Sequence, residues 1–346
     1  MVLFRLGRAV VRSYAAQLAF AILSMALCVG CSPTEPETSP AAVAPLPVPS
    51  PTSTLSAAVC SLSAPPPTNV TPTAEDAVRP PSLAPTLQAP PGRSQLVETK
   101  FYSAELEEEM PILVYLPPGY FDSARRYPVL YMLGGWVGDY EEWTWWGLCD
   151  EAEFLTRNGY IQPMIIVTPE GDRSYWFNHA RVAGSDGKPY GDYIWKDVVG
   201  YVDANYRTLP QRASRAIGGL SAGGQSAFML ALTHPEVFSI AGGHSLSLRG
   251  ADGSLAFFGS RDYFKQYDPT WLVENTDTWR KLTLWIDVGA DDNQWGGPIH
   301  DFHALLVARH VQHAWIDSWS GDHDNNYWSA HIVDYLNWYA SKLVGQ

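Results

Sequence analysis

The chain has 346 residues, 46% of them hydrophobic and 17% charged, and 36 acidic against 23 basic residues give a formal charge of −13. That composition excludes collagen-like and coiled-coil classes. The negative surplus, with no basic stripe interleaved with aromatic residues, excludes nucleic acid as an expected partner, because a phosphate backbone repels such a surface.

The average hides three unlike segments. Residues 1–31 place Arg5, Arg8 and Arg12 ahead of an apolar stretch from about Tyr14 to Gly30, which runs into Cys28-Val29-Gly30-Cys31. A basic start, an apolar middle and small residues before polar sequence are the order of an export signal over residues 1–30. Its end resembles a bacterial lipobox, with cleavage before Cys31 and a lipid carried on Cys31; Cys28 stands where such boxes have leucine. Cleaved secretion without lipid and an uncleaved anchor are the alternatives, and the apolar run is short for a comfortable span. The expected location is the bacterial cell envelope or the exterior, with membrane contact only through the lipid.

Residues 32–92 hold 16 of the 27 prolines, no aromatic residue and only five charges. Such sequence buries too little apolar area to offset chain ordering, so residues 31–92 are expected to form a disordered Pro/Ser/Thr/Ala-rich spacer. The +3 of the first segment and the −3 of the second cancel, so residues 93–346 carry the whole −13, together with all 14 tryptophans. This remainder is long enough for one large core. Cys60 and Cys149 have no neighbouring pattern that suggests a metal, and Cys149 reads as a small buried hydrophobe.

Within residues 93–346 the apolar runs come in order. Strands are predicted over Leu96–Ala104, Pro111–Leu116, Pro128–Leu133, Met164–Thr168, Arg215–Gly218, Leu282–Val288 and Ala314–Ser318. Most are apolar without alternation, as expected for strands covered on both faces. Helices are predicted over Glu151–Asn158, Trp195–Tyr206, Ala222–Leu232, Asp301–His310 and His331–Leu343. Strands alternating with crossover helices describe an α/β domain, a mostly parallel sheet with helices on both faces.

The sharpest motif is Gly219-Leu220-Ser221-Ala222-Gly223, fed by a strand and left by an Ala-rich helix. A serine on so tight a strand-to-helix turn needs small residues two positions to either side, where backbones crowd. The turn exposes the hydroxyl at the positive end of the helix, and the Ala222 amide can meet a developing oxyanion. Such a serine needs a base and an orienting acid, which follow it in the order Ser, acid, His. His323, just beyond the last predicted strand, is the expected base. Asp292 is the expected acid, with Asp291 the runner-up and Asp287 a further alternative, although Asp287 lies inside its strand. His300 and His303, and likewise His310 and His313, have helical spacing that permits a metal, but no carboxylate or cysteine cluster accompanies them, and neither metal nor organic cofactor is expected.

Several blocks in sequence carry a resemblance: Val114-Tyr115-Leu116-Pro117-Pro118-Gly119-Tyr120, Tyr127 to Leu133, Pro163 to Val167, Tyr201-Val202-Asp203 with Tyr206-Arg207-Thr208, and the elbow through His234-Pro235-Glu236-Val237-Phe238. From about Leu96 onward the chain resembles the esterase family of α/β-hydrolases that includes esterase D, feruloyl and acetyl xylan esterases, siderophore esterases and mycobacterial mycolyltransferases. The resemblance implies the α/β-hydrolase fold, Ser221 as nucleophile, His323 as base and Asp292 as acid, since the family's Gly-x-x-Asp falls on Gly289 to Asp292. It also implies the backbone amide of Trp136 as second oxyanion donor. Members commonly have His-Gly after the strand ending near Leu133, where this chain has Gly134-Gly135.

The implied reaction is two-step acyl transfer to water from a small-molecule or polysaccharide-linked ester. Trp143, Trp145, Trp146, Trp176 and Trp295 sit on loops expected near the site and are candidate pocket residues for a sugar or a hydroxycinnamoyl group. Asn178 and His179 are further candidates. A feruloyl or acetyl ester of a carbohydrate is the expected substrate; an acyltransferase of the mycolyltransferase type and a non-catalytic tethered sugar-binding module are the alternatives.

Overall fold

The computed structural model describes residues 92–345. The expected export signal, lipidated Cys31, Cys60 and the spacer lie outside the described residues. Eight strands form one sheet: β1 (Gln95–Ser103), β2 (Glu108–Leu116), β3 (Val129–Leu133), β4 (Ile165–Pro169), β5 (Arg215–Leu220), β6 (Ile240–Leu246), β7 (Thr283–Asp287) and β8 (His313–Ile316). Their spatial order is β1-β2-β4-β3-β5-β6-β7-β8. β1 and β2 make an antiparallel hairpin in which Gln95 faces Leu116, β2 meets β4 antiparallel, and all later neighbours run parallel.

Every residue of β3, β4, β5 and β6 is buried, which is why these runs lack polar alternation. Successive side chains still point to opposite faces. Val129, Tyr131 and Leu133 of β3 join one core layer with Val202, Phe228, Ile299 and Phe302, from the helices Val199–Asn205, Ser221–Thr233 and Gly296–Ala308. Leu130 and Met132 join the other with Leu148, Leu155, Leu336 and Tyr339, from the helices Leu148–Arg157 and Ile332–Lys342. Cys149 lies in this second layer, its Sγ 3.6 Å from the Thr144 hydroxyl. The fold is a largely parallel sheet flanked by helices, the α/β-hydrolase arrangement.

One strand escapes the sequence pattern. β6 reads Ile-Ala-Gly-Gly-His-Ser-Leu, and its glycines erase the apolar run that marks its neighbours. The first of these glycines has a packing reason: a Cβ on Gly242 would lie 2.0 Å from the Tyr339 hydroxyl of the last helix. The helix predicted over Trp195–Tyr206 begins earlier, at Tyr190, and passes through a wide turn at Tyr193–Val198 before its regular part.

Candidate active site

The parallel strands β5, β7 and β8 end on the same edge of the sheet, and the segments leaving them carry Ser221, Asp292 and His323. Ser221 is the first residue of the helix Ser221–Thr233 and has φ of +52°. This left-handed conformation is unfavourable for a side-chain-bearing residue and is held by the packing around it. The glycines beside it are required by contact. A Cβ on Gly219 would lie 2.5 Å from the Gly223 carbonyl carbon, and one on Gly223 would lie 2.5 Å from the Gly134 and Leu133 carbonyl oxygens. The elbow is thus pressed against the end of β3. The first amides of the helix, that of Ala222 among them, have no partner within the helix. Trp136 follows Gly135 at the adjoining end of β3, with its ring 5.0 Å from Tyr175 and 5.7 Å from Phe257.

Three side chains line up. His323 Nε2 is 2.8 Å from Ser221 Oγ, and His323 Nδ1 is 3.0 Å from Asp292 Oδ2. Asp292 is buried, and its other oxygen accepts the amides of Gln294 at 3.0 Å and Trp295 at 2.8 Å. Burial works to raise the Asp292 pKa, but hydrogen bonds from His323, Ser245 and the Trp295 amide outweigh it and hold the carboxyl below its ordinary range. The ionised carboxylate accepts a hydrogen bond from His323 Nδ1–H, which keeps the proton on Nδ1 and leaves Nε2 to accept from the Ser221 hydroxyl.

A second serine completes the group. Ser245, at the end of β6 with φ of +48°, donates to Asp292 Oδ2 at 2.6 Å and lies 3.2 Å from His323 Nδ1. It is fully buried and stands on the acid side of the imidazole, away from Ser221. Its signal in the sequence is slight, a serine closing a glycine-rich strand.

Asp291, the alternative acid, does not touch His323. Its amide donates to the Gly321 carbonyl at 2.9 Å and its carboxylate accepts the Gly321 amide at 3.2 Å, tying the acid loop to the histidine loop. Asp287 is buried beneath the site. It accepts from His244 at 2.7 Å, Trp285 at 2.6 Å, Tyr327 at 2.7 Å and Tyr335 at 3.1 Å.

The candidate pocket tryptophans divide. Trp143 and Trp176, expected to line a pocket, are only 1% and 4% exposed, and their indole N–H groups donate to the carbonyls of Leu133 and Gly134. They brace the end of β3, because a buried indole nitrogen needs an acceptor. Trp146 stacks on Trp328, whose ring stands edge-on 4.9 Å from His323. Trp295 lies 6.3 Å from His323. Trp145 is 65% exposed. Trp328 and Phe257, which the sequence does not single out, join this rim. Asn178 and His179 serve the frame instead: Asn178 accepts the Asp192 amide, and buried His179 bridges Asp186 and the Ser174 carbonyl. His303 and His313 pair at 2.8 Å. Among the described residues no group of three or more His, Cys, Asp or Glu side chains is arranged to hold a metal ion.

The family described as "Putative esterase" matches residues 103–339, more than half of the chain. An uncharacterized protein of Corynebacterium glutamicum is 25% identical over 242 residues, covering 66% of this chain and 56% of that protein. An endo-1,4-beta-xylanase/feruloyl esterase of Xylanibacter ruminicola is 29% identical over 149 residues, 41% of this chain and 20% of that protein. The chain therefore spans about half or less of the length of these relatives. A solved ferulic acid esterase superposes with a TM-score of 0.65 at 23% identity, covering 72% of this chain and all of that one. With a serine-hydrolase-like constellation at the carboxyl edge of an α/β-hydrolase sheet, this chain belongs to the esterase family.

Proposed function

We propose that the chain is a carboxylic-ester hydrolase that acts on carbohydrate-linked esters, feruloyl or acetyl, with Ser221 as nucleophile. The observation that carries the reading is the unbroken line from Ser221 Oγ through His323 to buried Asp292, at 2.8 and 3.0 Å. Ser221 Oγ attacks the ester carbonyl carbon as His323 Nε2 takes its proton, while Asp292 holds the tautomer and balances the imidazolium. The amides of Ala222 and Trp136 donate to the oxygen that becomes negative. The alcohol leaves with the proton from His323. Water, deprotonated by the same nitrogen, then releases the acid and restores Ser221.

Ser221 is preferred over Ser245 on geometry. Ser245 is fully buried and spends its proton on the acid, whereas Ser221 is half-buried and faces the nitrogen free to act as base. An aromatic acyl group is supported by the wall of Trp136, Tyr175 and Phe257 beside the elbow, and by the feruloyl esterase named among the relatives.

The test combines labelling with product analysis. Intact-mass measurement after a fluorophosphonate probe is expected to give one adduct on Ser221, absent in Ser221→Ala. Methyl ferulate or acetylated xylan is expected to yield free acid even when a sugar alcohol competes with water. Transesterified sugar as main product would make the chain an acyltransferase. A folded chain with neither adduct nor product would overturn the reading.

A further inference from the structure

The loop that carries the second oxyanion donor is built around a carboxylate from its own far end. Glu142 Oε2 accepts the Gly135 amide at 2.7 Å. A Cβ on Gly134 would lie 2.9 Å from the same oxygen, and one on Gly138 only 2.2 Å from it. The carboxylate therefore fills the room that side chains at 134 and 138 would need, and the backbone from Gly134 to Gly138 wraps it. A side chain at 134 would have to displace the Glu142 head group from this place.

The wrapped segment contains Trp136 at its middle. Two further bonds act with Glu142 on this backbone: one on the Gly134–Gly135 peptide and one on the Gly135–Trp136 peptide. Trp176 Nε1 donates to the Gly134 carbonyl at 3.1 Å, and the Gly138 amide reaches the Gly135 carbonyl at 3.3 Å. Three glycines among five residues make a flexible backbone, since each adds conformations that must be excluded. The bond from Gly135 N–H to Glu142 fixes the peptide plane next to that of Trp136, and an oxyanion donor contributes only when its direction is set before the charge forms.

We propose that Glu142 is the positioning residue of the oxyanion loop, holding the Gly135 peptide so that the Trp136 amide points at the reacting oxygen. The proposal rests on the reading of Ser221 as nucleophile and of Trp136 as donor. Glu142 touches neither substrate nor the reacting atoms and acts through the loop. A held donor matters in the transition state more than in the bound ester, so its loss lowers kcat and leaves KM almost unchanged.

The experiment compares Glu142→Gln, Glu142→Asp and Glu142→Ala in the full chain, with melting curves for folding, steady-state kinetics on an aryl ester and intact-mass labelling by a fluorophosphonate. Gln keeps an acceptor at the same reach and is expected to hold kcat within about 3-fold of wild type. Asp is one methylene too short and Ala has no acceptor; both are expected to lower kcat by about 10-fold or more, with KM within about 2-fold, since a lost donor is worth up to 10²–10³. If Ala does not fold, the contrast between Gln and Asp decides. Equal kcat in all variants overturns the proposal, and so does a Gln variant as slow as Asp. Failure of the probe to label wild-type Ser221 instead overturns the reading on which it rests.

Discussion

Ser245 donates its hydroxyl proton to Asp292 Oδ2 at 2.6 Å, the same oxygen that receives His323 Nδ1. Two serines therefore flank one imidazole, one on each nitrogen, and they differ in what removal does. Ser221→Ala removes the hydroxyl proposed as nucleophile, and kcat is expected to fall by about 10³-fold or more, with loss of the fluorophosphonate adduct. Ser245→Ala removes one of several hydrogen bonds to a buried carboxylate, worth about 1.5–3 kcal/mol for a charged acceptor. Its kcat is expected to fall about 10-fold, with the adduct on Ser221 retained. Loss of the adduct in Ser245→Ala alone would exchange the roles of the two residues.

Asp292 and Asp291 are neighbours with separable tasks. Asp292→Asn turns the His323 tautomer, because the amide nitrogen competes as donor at Nδ1, and kcat is expected to fall by about 10⁴-fold. Asp291→Asn loosens one tie between two loops and is expected to remain within about 10-fold. The acid stability that Asp292 contributes follows from the sign of its own shift. Asp292 sits below the ordinary carboxylate range, so its contribution is present above that range and is lost as pH falls through the lower folded value. Unfolding curves below about pH 4 should therefore converge for wild type and Asp292→Asn. Equal loss of activity in the two asparagine variants would overturn the assignment.

Burial lifts the Glu142 carboxyl to about 7; the Gly135 amide pulls it down and the charge of Asp139 adds to the rise. A carboxyl raised in the folded state binds its proton longer than in the unfolded chain. Stability therefore falls as pH climbs from the unfolded value of 4.5 through about 7. Glu142→Gln removes this slope, and its melting temperature relative to wild type is expected to rise from pH 5 to pH 8 by a few degrees, on the order expected for 1 kcal/mol or so in a domain of this size. Parallel melting curves across that window would show that ionisation of Glu142 is not opposed by the fold.

What the sequence made legible depends on how local each constraint is. The elbow was readable because Gly219 and Gly223 meet backbone two residues from the serine, and so leave a five-residue signature. The parallel strands were readable because burial on both faces leaves continuous apolar runs. β6 was not, since Gly242 must admit a tyrosine ring from a helix almost a hundred residues later in the chain. Ser245 was equally hidden: its partners lie on two loops that follow other strands, and nothing next to it in sequence marks them. For the tryptophans, sequence proximity identified a cluster but not the direction of each ring. Trp143 and Trp176 turn inward because two carbonyls at the end of β3 await an N–H donor.

Beneath the site, Asp287 is fully buried and accepts from four side chains, so its charge is compensated by hydrogen bonds and not by water. One of those donors, Tyr327, packs its ring against the histidine loop: a Cβ on Gly321 would lie 2.8 Å from that ring. Removing the carboxylate strands several buried donors at once, at about 3–5 kcal/mol for a broken buried charge network. Asp287→Ala is thus expected to lower the melting temperature by about 10 °C, at roughly 2–4 °C per kcal/mol. Because Tyr327 loses its anchor, kcat of the folded fraction at 20 °C should fall as well, whereas KM should hold. Tyr327→Phe separates the two effects. It keeps the ring against Gly321 and deletes only one donor, so it should retain most of kcat while losing a smaller share of stability. A Tyr327→Phe variant as slow as Asp287→Ala would place the effect in the hydrogen bond itself and not in the packing of the ring.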